Sequence, residues 1–125
     1  MSSLEEQVTA LLRRAGARFA FLHGSRANAG GGHPGADLDV GAWWGTDQPP
    51  ASWELVLPEG VDLLVLDDAP LELAGRVALT GHLLFEDDPP ARVRWQAQTR
   101  LVYLDEEPRQ RQLDRLYLSS RARGR

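Results

Sequence analysis

Two hydrophobic periods alternate along this chain, and the points where one gives way to the other outline its elements. Ser3-Leu4-Glu5-Glu6 has the spacing of a capping box, and Leu4, Val8, Leu11, Leu12 and Ala15 then recur at helical intervals. Residues 3–15 are therefore predicted to form an amphipathic helix that stops at Gly16. "RFAFLHGS" is a short aromatic and aliphatic run closed by glycine, the pattern of a buried strand. "DLDVGAWW" alternates, with Asp37 and Asp39 on one face and Leu38 and Val40 on the other. "GTDQPPASW" is turn-rich, and "SWELVL" is left open between an edge strand and a helix fragment. "GVDLLVLDD" is nearly all apolar, which predicts a central strand. Pro70 opens a helix through "PLELAGRVALTG", with Leu71, Ala74, Val77 and Ala78 inward and Gly81 as its stop. "HLLFE" predicts a fourth strand. Asp87-Asp88-Pro89 starts a last helix with Val93, Ala97, Leu101 and Leu104 as its apolar stripe. Pro108 is expected to break or restart that helix, and Leu113, Leu116 and Tyr117 form a second stripe. The sum is an α/β (α+β) domain: a small mixed sheet of about four strands with helices packed on it.

At 125 residues the chain suits one domain, residues 1–125, with an N-terminal helix 3–15, a sheet and loop 17–86 and a C-terminal helical part 88–120. There is no Cys, which excludes a disulfide scaffold, a thiolate metal site and a Cys nucleophile. All 14 basic residues are Arg, so no Lys is available as a general base or Schiff-base former. No run approaches the ~18–20 apolar residues of a membrane span, and "MSSLEEQ" is not a signal peptide, so a cytoplasmic protein is expected. Charge is uneven. Residues 1–88 carry 14 acids and 5 Arg (−9), and residues 89–125 carry 4 acids and 9 Arg (+5), summing to −4. The acidic first part argues against direct nucleic-acid binding and suits cations. The basic last part is a solvated helix face or a contact for an acidic partner.

The chemistry concentrates in "HGSRANAGGGHPGADLDVGAWW". Asp37 and Asp39 project from one strand face a few ångströms apart. Two such anions repel and lose hydration at the end of a buried sheet, and Mg²⁺, a hard cation that prefers carboxylate oxygen, relieves both problems. Asp62 heads the next strong strand and joins the cluster if the two strands are neighbours. Three carboxylates around two metals is the arrangement of in-line phosphoryl or nucleotidyl transfer. The loop supplies the other half. A helix starting at Ser25 or Arg26 would present free N–H groups to a phosphate, Gly24 would permit close approach, and the Ser25 hydroxyl and Arg26 guanidinium would bond phosphate oxygens.

Gly24-Ser25, eleven residues, Asp37-Leu38-Asp39 and then Asp62 on a later strand together resemble the DNA-polymerase-β-type nucleotidyltransferase superfamily. More narrowly, the chain resembles the minimal nucleotidyltransferases (MNT), many of which are antitoxins paired with HEPN-domain toxins. "GVDLLVLDDAPLELAGRVALTGHLLFEDD" resembles that family's third-acid strand, following helix and last strand, and "YLDEEP" falls where these proteins often carry Tyr-x-Asp. The resemblance spans nearly the whole chain. It implies that Asp37, Asp39 and Asp62 hold two Mg²⁺ ions and that Asp62 helps deprotonate the attacking hydroxyl. It further implies transfer of AMP from ATP, with release of pyrophosphate, to a hydroxyl on a HEPN toxin. The alternatives are an antitoxin that acts by occlusion without catalysis, and a small-molecule transferase resembling aminoglycoside-modifying enzymes. Homo-oligomerisation is compatible with either. Where the family commonly has Phe-Gly-Ser, this chain has His23-Gly24-Ser25, and where it often has Ser before the first acid, this chain has Ala36.

The remaining residues are less specific. His23, at the end of a strand, is either packed and hydrogen-bonded or in contact with phosphate. His33 is expected in the exposed loop, and no histidine pair has zinc-ligand spacing. Trp43 and Trp44 must point to opposite faces, one into the core and the other into packing, a base or a partner. Tyr103 and Tyr117 belong to helix faces.

Overall fold

The computed structural model describes residues 3–23 and 38–122, with side chains to Asp105. The first helix, α1 (Leu4–Arg14), is closed at its start by the reciprocal bonds the sequence predicts. Ser3 Oγ accepts from Glu6 N–H, and Glu6 Oε1 accepts from Ser3 N–H, both at 3.1 Å. Gly16 follows with φ +98°, a conformation that favours glycine, and turns the chain into the sheet. The strands are β1 (Phe19–His23), β2 (Leu38–Trp43), β3 (Val61–Val65) and β4 (His82–Glu86). A 3-10 turn at Ser52–Glu54 stands where the sequence left strand and helix open, a second follows β3 at Leu66–Asp68, and α2 (Leu71–Thr80) and α3 (Pro89–Ala122) complete the described elements.

The strand order is β3-β2-β1-β4, antiparallel at β2–β1 and β1–β4 and parallel at β2–β3. The apolar "GVDLLVLDD" strand is therefore an edge, not the centre. Its apolarity arises because both of its faces are packed: Leu63 and Val65 join the α1 side of the sheet, and Leu64 and the following Leu66 join the other. On the α1 side, Val8 and Leu12 meet Ala20, Val40, Ala42 and Trp44. On the opposite side Phe19, fully buried, lies against three rings: Trp43 stacked at 5.1 Å, Trp95 of α3 at 5.5 Å, and Phe21 edge-on at 5.8 Å. Trp43 and Trp44 thus do point to opposite faces, and both are used in packing. Trp44 Nε1–H donates to Ala15 O at 3.0 Å, joining β2 to the end of α1.

Two helical stripes depart from the sequence reading. Leu71 is partly exposed, leaving Ala74, Gly75, Val77 and Ala78 as the buried residues of α2. Val93, Ala97, Leu101 and Leu104 face away from the sheet. The side of α3 that meets α2 carries Ala91, Trp95 and Tyr103, with polar side chains that close the end of α2: Gln96 Nε2 and Arg100 Nε both donate to Ala78 O, at 3.0 and 2.6 Å. An unpaired helix-terminal carbonyl outweighed a tidy apolar stripe in orienting α3. Nor does Pro108 end this helix, which runs 34 residues. It begins as expected, with Asp88 Oδ1 accepting from Ala91 N–H ahead of Pro89.

Tyr103 sits directly over Gly75, where a Cβ would collide with its Cβ, Cγ and Cδ1 atoms. Ala in place of Gly ordinarily gains about 1 kcal/mol in a helix. Here the sign should reverse, because Tyr103 Cβ cannot rotate away and α3 must shift, at about 1–3 kcal/mol for overpacking. Gly75→Ala is expected to lower the melting temperature by several degrees, and adding Tyr103→Ala should recover part of the loss. Thermal denaturation of the two variants measures this.

Candidate active site

The acids are brought together by strand register. Asp39, second residue of β2, pairs with His23 at the end of β1 and with Asp62, second residue of β3. Directly paired residues share a face, so His23, Asp39 and Asp62 stand in one row across three strands. That face also carries Phe19, Phe21 and Trp43 further along, so the row is the polar end of an otherwise apolar surface. Asp39 is 1 % exposed, the buried charged side chain among the described residues, whereas Asp62 is open to solvent. A buried carboxylate beside a second, exposed one can bind a cation from the solvent side only, which gives the pair a direction.

His23 is the third group. Its Nε2 is buried with no hydrogen-bond partner among the described residues. Burial pushes the imidazole pKa below its usual 6.5, opposed by the negative charges of Asp39 and Asp62 and by a hydrogen bond with the Val40 backbone. Since folding lowers this pKa, the contribution of neutral His23 to stability is complete above about pH 6.5 and is lost as the pH falls through that value toward the folded-state pKa. Between about pH 7.5 and about pH 5.5 in Mg²⁺-free buffer, the native chain should lose more thermal stability than His23→Phe does. Equal losses would show that His23 does not carry this pH dependence.

The backbone around the row is held by a contact that the sequence did not disclose. Asp67, just past β3, accepts from Trp44 N–H at 2.9 Å and from Gly45 N–H at 2.6 Å, just past β2. It clamps the two parallel strands at the end opposite the acids and so preserves the Asp39–Asp62 register. Gly45 must be glycine here: its φ is +73°, and a Cβ would strike the Trp43 ring. An acid ending an apolar strand was the available signal, but its partners lie 22 and 23 residues upstream. Gly41, two residues along from Asp39, makes room for the Leu66 side chain, whose Cδ2 is only 3.1 Å from where a Cβ would stand.

Of the predicted site residues, Asp39 and Asp62 are adjacent. Gly24, Ser25, Arg26 and Asp37 lie outside the described residues. Among the described residues no group of three or more His, Cys, Asp and Glu forms a metal cage, so the described part of the donor set is the Asp39–Asp62 pair.

No family model matches the chain, and neither does any curated protein. Solved structures do match. A toxin–antitoxin with AMP-PNP shares 24% identity at TM-score 0.69, covering 90% of this chain and 98% of that one. The fold is that of the MNT nucleotidyltransferases. The toxin–antitoxin MntA–HepT aligns at TM-score 0.67 with 22% identity, over 91% of this chain and 97% of that one. A complex of tri-AMPylated Shewanella oneidensis HEPN toxin with MNT antitoxin aligns equally well, at 0.67 and 22%, over 91% and 96%. The alignments take in 90–91% of this chain, so the shared fold extends over nearly all of its α+β arrangement. Among the described residues, no helix of this MNT-like chain is long and apolar enough to cross a membrane.

Proposed function

We propose that the protein is a Mg²⁺-dependent nucleotidyltransferase that moves AMP from ATP to a hydroxyl of a HEPN toxin and thereby acts as its antitoxin. The observation that carries this reading is the register pairing of buried Asp39 with exposed Asp62 at the end of two parallel strands. Supporting it are the Gly24-Ser25 and Asp37-x-Asp39 spacing, and a shared fold with structures that hold AMP-PNP or accompany an AMPylated HEPN toxin.

The donor set fits a hard divalent cation: carboxylate oxygens, one of them buried where a lone anion is costly. Asp39 and Asp62, with Asp37, would hold Mg²⁺, which when bound neutralises and polarises the triphosphate. The two acids divide the work by exposure. Asp39, enclosed by the sheet, is a fixed anchor. Asp62 is open to solvent, where an acceptor hydroxyl can reach it and give up its proton. The freed oxygen attacks the α-phosphorus, a new P–O bond forms, and the bond to the β-phosphate breaks with pyrophosphate as leaving group. Gly24, Ser25 and Arg26 would hold the phosphates of the leaving group. Neither a Cys nor a Lys nucleophile exists in the chain, so direct transfer without a covalent enzyme intermediate is the economical route. Incubation with α-labelled ATP, Mg²⁺ and the product of the neighbouring gene should label that product, and EDTA should stop it. Absence of label in a sample that contains the intact complex would refute the reading.

A further inference from the structure

The crossover between β2 and β3 passes the catalytic end of the sheet and leaves large apolar side chains in water. Trp53 is 85% exposed and Val56 90%. Burying a Trp is worth several kcal/mol in any core, so a loop that presents one outward is not using it for folding. Trp53 borders a cleft of about 230 Å³ whose wall includes Leu55, Leu57, Val61 and Asp62. Val61 and Leu63 belong to the α1 side of the sheet and Asp62 to the opposite face, so this cleft lies at the edge of β3, where an unused aromatic platform and the exposed acid are reached from one strand.

Three features of this cleft select its occupant. Its volume is below the roughly 300–1,000 Å³ of pockets that enclose small molecules, yet it admits one or two side chains. Peptide groups face it: Gly60 O accepts from Leu38 N–H of β2, so in a parallel ladder the groups of Val61 and Leu63 alternate to the open edge. Val61 N–H is taken up by Pro58 O, and the Leu63 peptide lies next along that edge. Charge is the third. Between Arg26 and Arg76 the chain has no basic residue, while Asp47, Glu54, Glu59 and Asp62 are all exposed around the crossover. A polyanion is repelled there, and a cationic chain is drawn in.

From these features we infer that the cleft beside Asp62 docks the acceptor-bearing segment of the partner protein, a neutral-to-basic peptide stretch with an apolar or aromatic side chain against Trp53. This rests on the transferase reading for its chemistry but assigns the acceptor side of the site, which the metal and phosphate residues leave unaddressed. Trp53 is a positioning residue: it orients the segment whose hydroxyl meets Asp62.

The test uses the full chain and the purified product of the neighbouring gene, with partner concentration varied at saturating labelled ATP and Mg²⁺. Trp53→Ala should raise KM for the partner about ten-fold or more, the usual consequence of removing a central aromatic from an interface. Both kcat and AMP-PNP affinity should be unchanged. Glu59→Gln with Asp47→Asn should raise KM by a smaller factor and weaken its dependence on salt. Unchanged KM in Trp53→Ala, or a parallel loss of AMP-PNP affinity, overturns the inference. A second measurement needs no catalysis: the fluorescence difference between native chain and Trp53→Phe should shift to the blue when partner is added without ATP. No shift overturns the docking site even if labelling proceeds, and a shift without labelling overturns the transferase reading alone.

Discussion

Asp39→Asn should lower AMP transfer by about 10³-fold or more while the chain remains folded. Removing a single group that stabilises charge in a transition state typically costs about 10²–10³ in rate. Asp39 does more, because its carboxylate is enclosed by the sheet and paired in register with Asp62. Asn keeps the shape and removes the charge, so packing with His23 and the neighbouring strands persists. It also relieves the cost of a buried anion beside a second one, so the melting temperature of the Mg²⁺-free protein should fall by no more than a few degrees. Transfer and melting measured on the same preparation separate the two effects. Native rates of labelling with Asn at this position would remove Asp39 from the chemistry.

The largest effect on stability is expected from Phe19→Ala. Phe19 has no exposure and is in ring contact with Phe21, Trp43 and Trp95, so its loss opens a cavity shared by β1, β2 and α3. Phe→Ala in a core costs about 3–5 kcal/mol, against a total of about 5–15 for a domain. A fall of about 10–20 °C in melting temperature follows for a chain of this size. Trp53→Ala removes a larger aromatic and should leave the melting temperature nearly unchanged. Urea or thermal unfolding of the two variants side by side distinguishes an aromatic that holds the fold from one displayed for another molecule.

What could be read beforehand was what depends on near neighbours. The Ser3–Glu6 box, the Gly16 and Gly81 stops and the strand His82–Glu86 are each specified within a few residues, and each is present. Asp62 was expected to join Asp39 only if their strands were neighbours, and the parallel β2–β3 pairing meets that condition. Strand order was different. The stretch from Gly60 to Asp68 is as apolar as a central strand because its two faces join two separate core clusters, and nothing local distinguishes that from having a strand on each side. The expected apolar stripe of Val93, Leu101 and Leu104 turns outward for a related reason. The rotation of α3 follows the Ala78 carbonyl and the ring of Tyr103 over Gly75, which are facts about a different helix. Asp67 was invisible on the same grounds: its value lies in two N–H groups that only folding brings near.

Parallel pairing has one further consequence here. An antiparallel neighbour can be reached by a two-residue turn, but a parallel one obliges the chain to travel back the length of the strand, about a dozen residues or more. Here that return runs from Gly45 to Gly60 and includes little regular structure beyond the turn at Ser52–Glu54. Its length is demanded by topology, while the letters it turns outward, such as Asp47, Trp53, Val56 and Glu59, are not demanded by packing. A lineage of such proteins can therefore rewrite this passage to follow a changing target, leaving the sheet and its acids as they are. The geometry that aligns two carboxylates also supplies, at no additional cost in stability, the segment most open to adaptation.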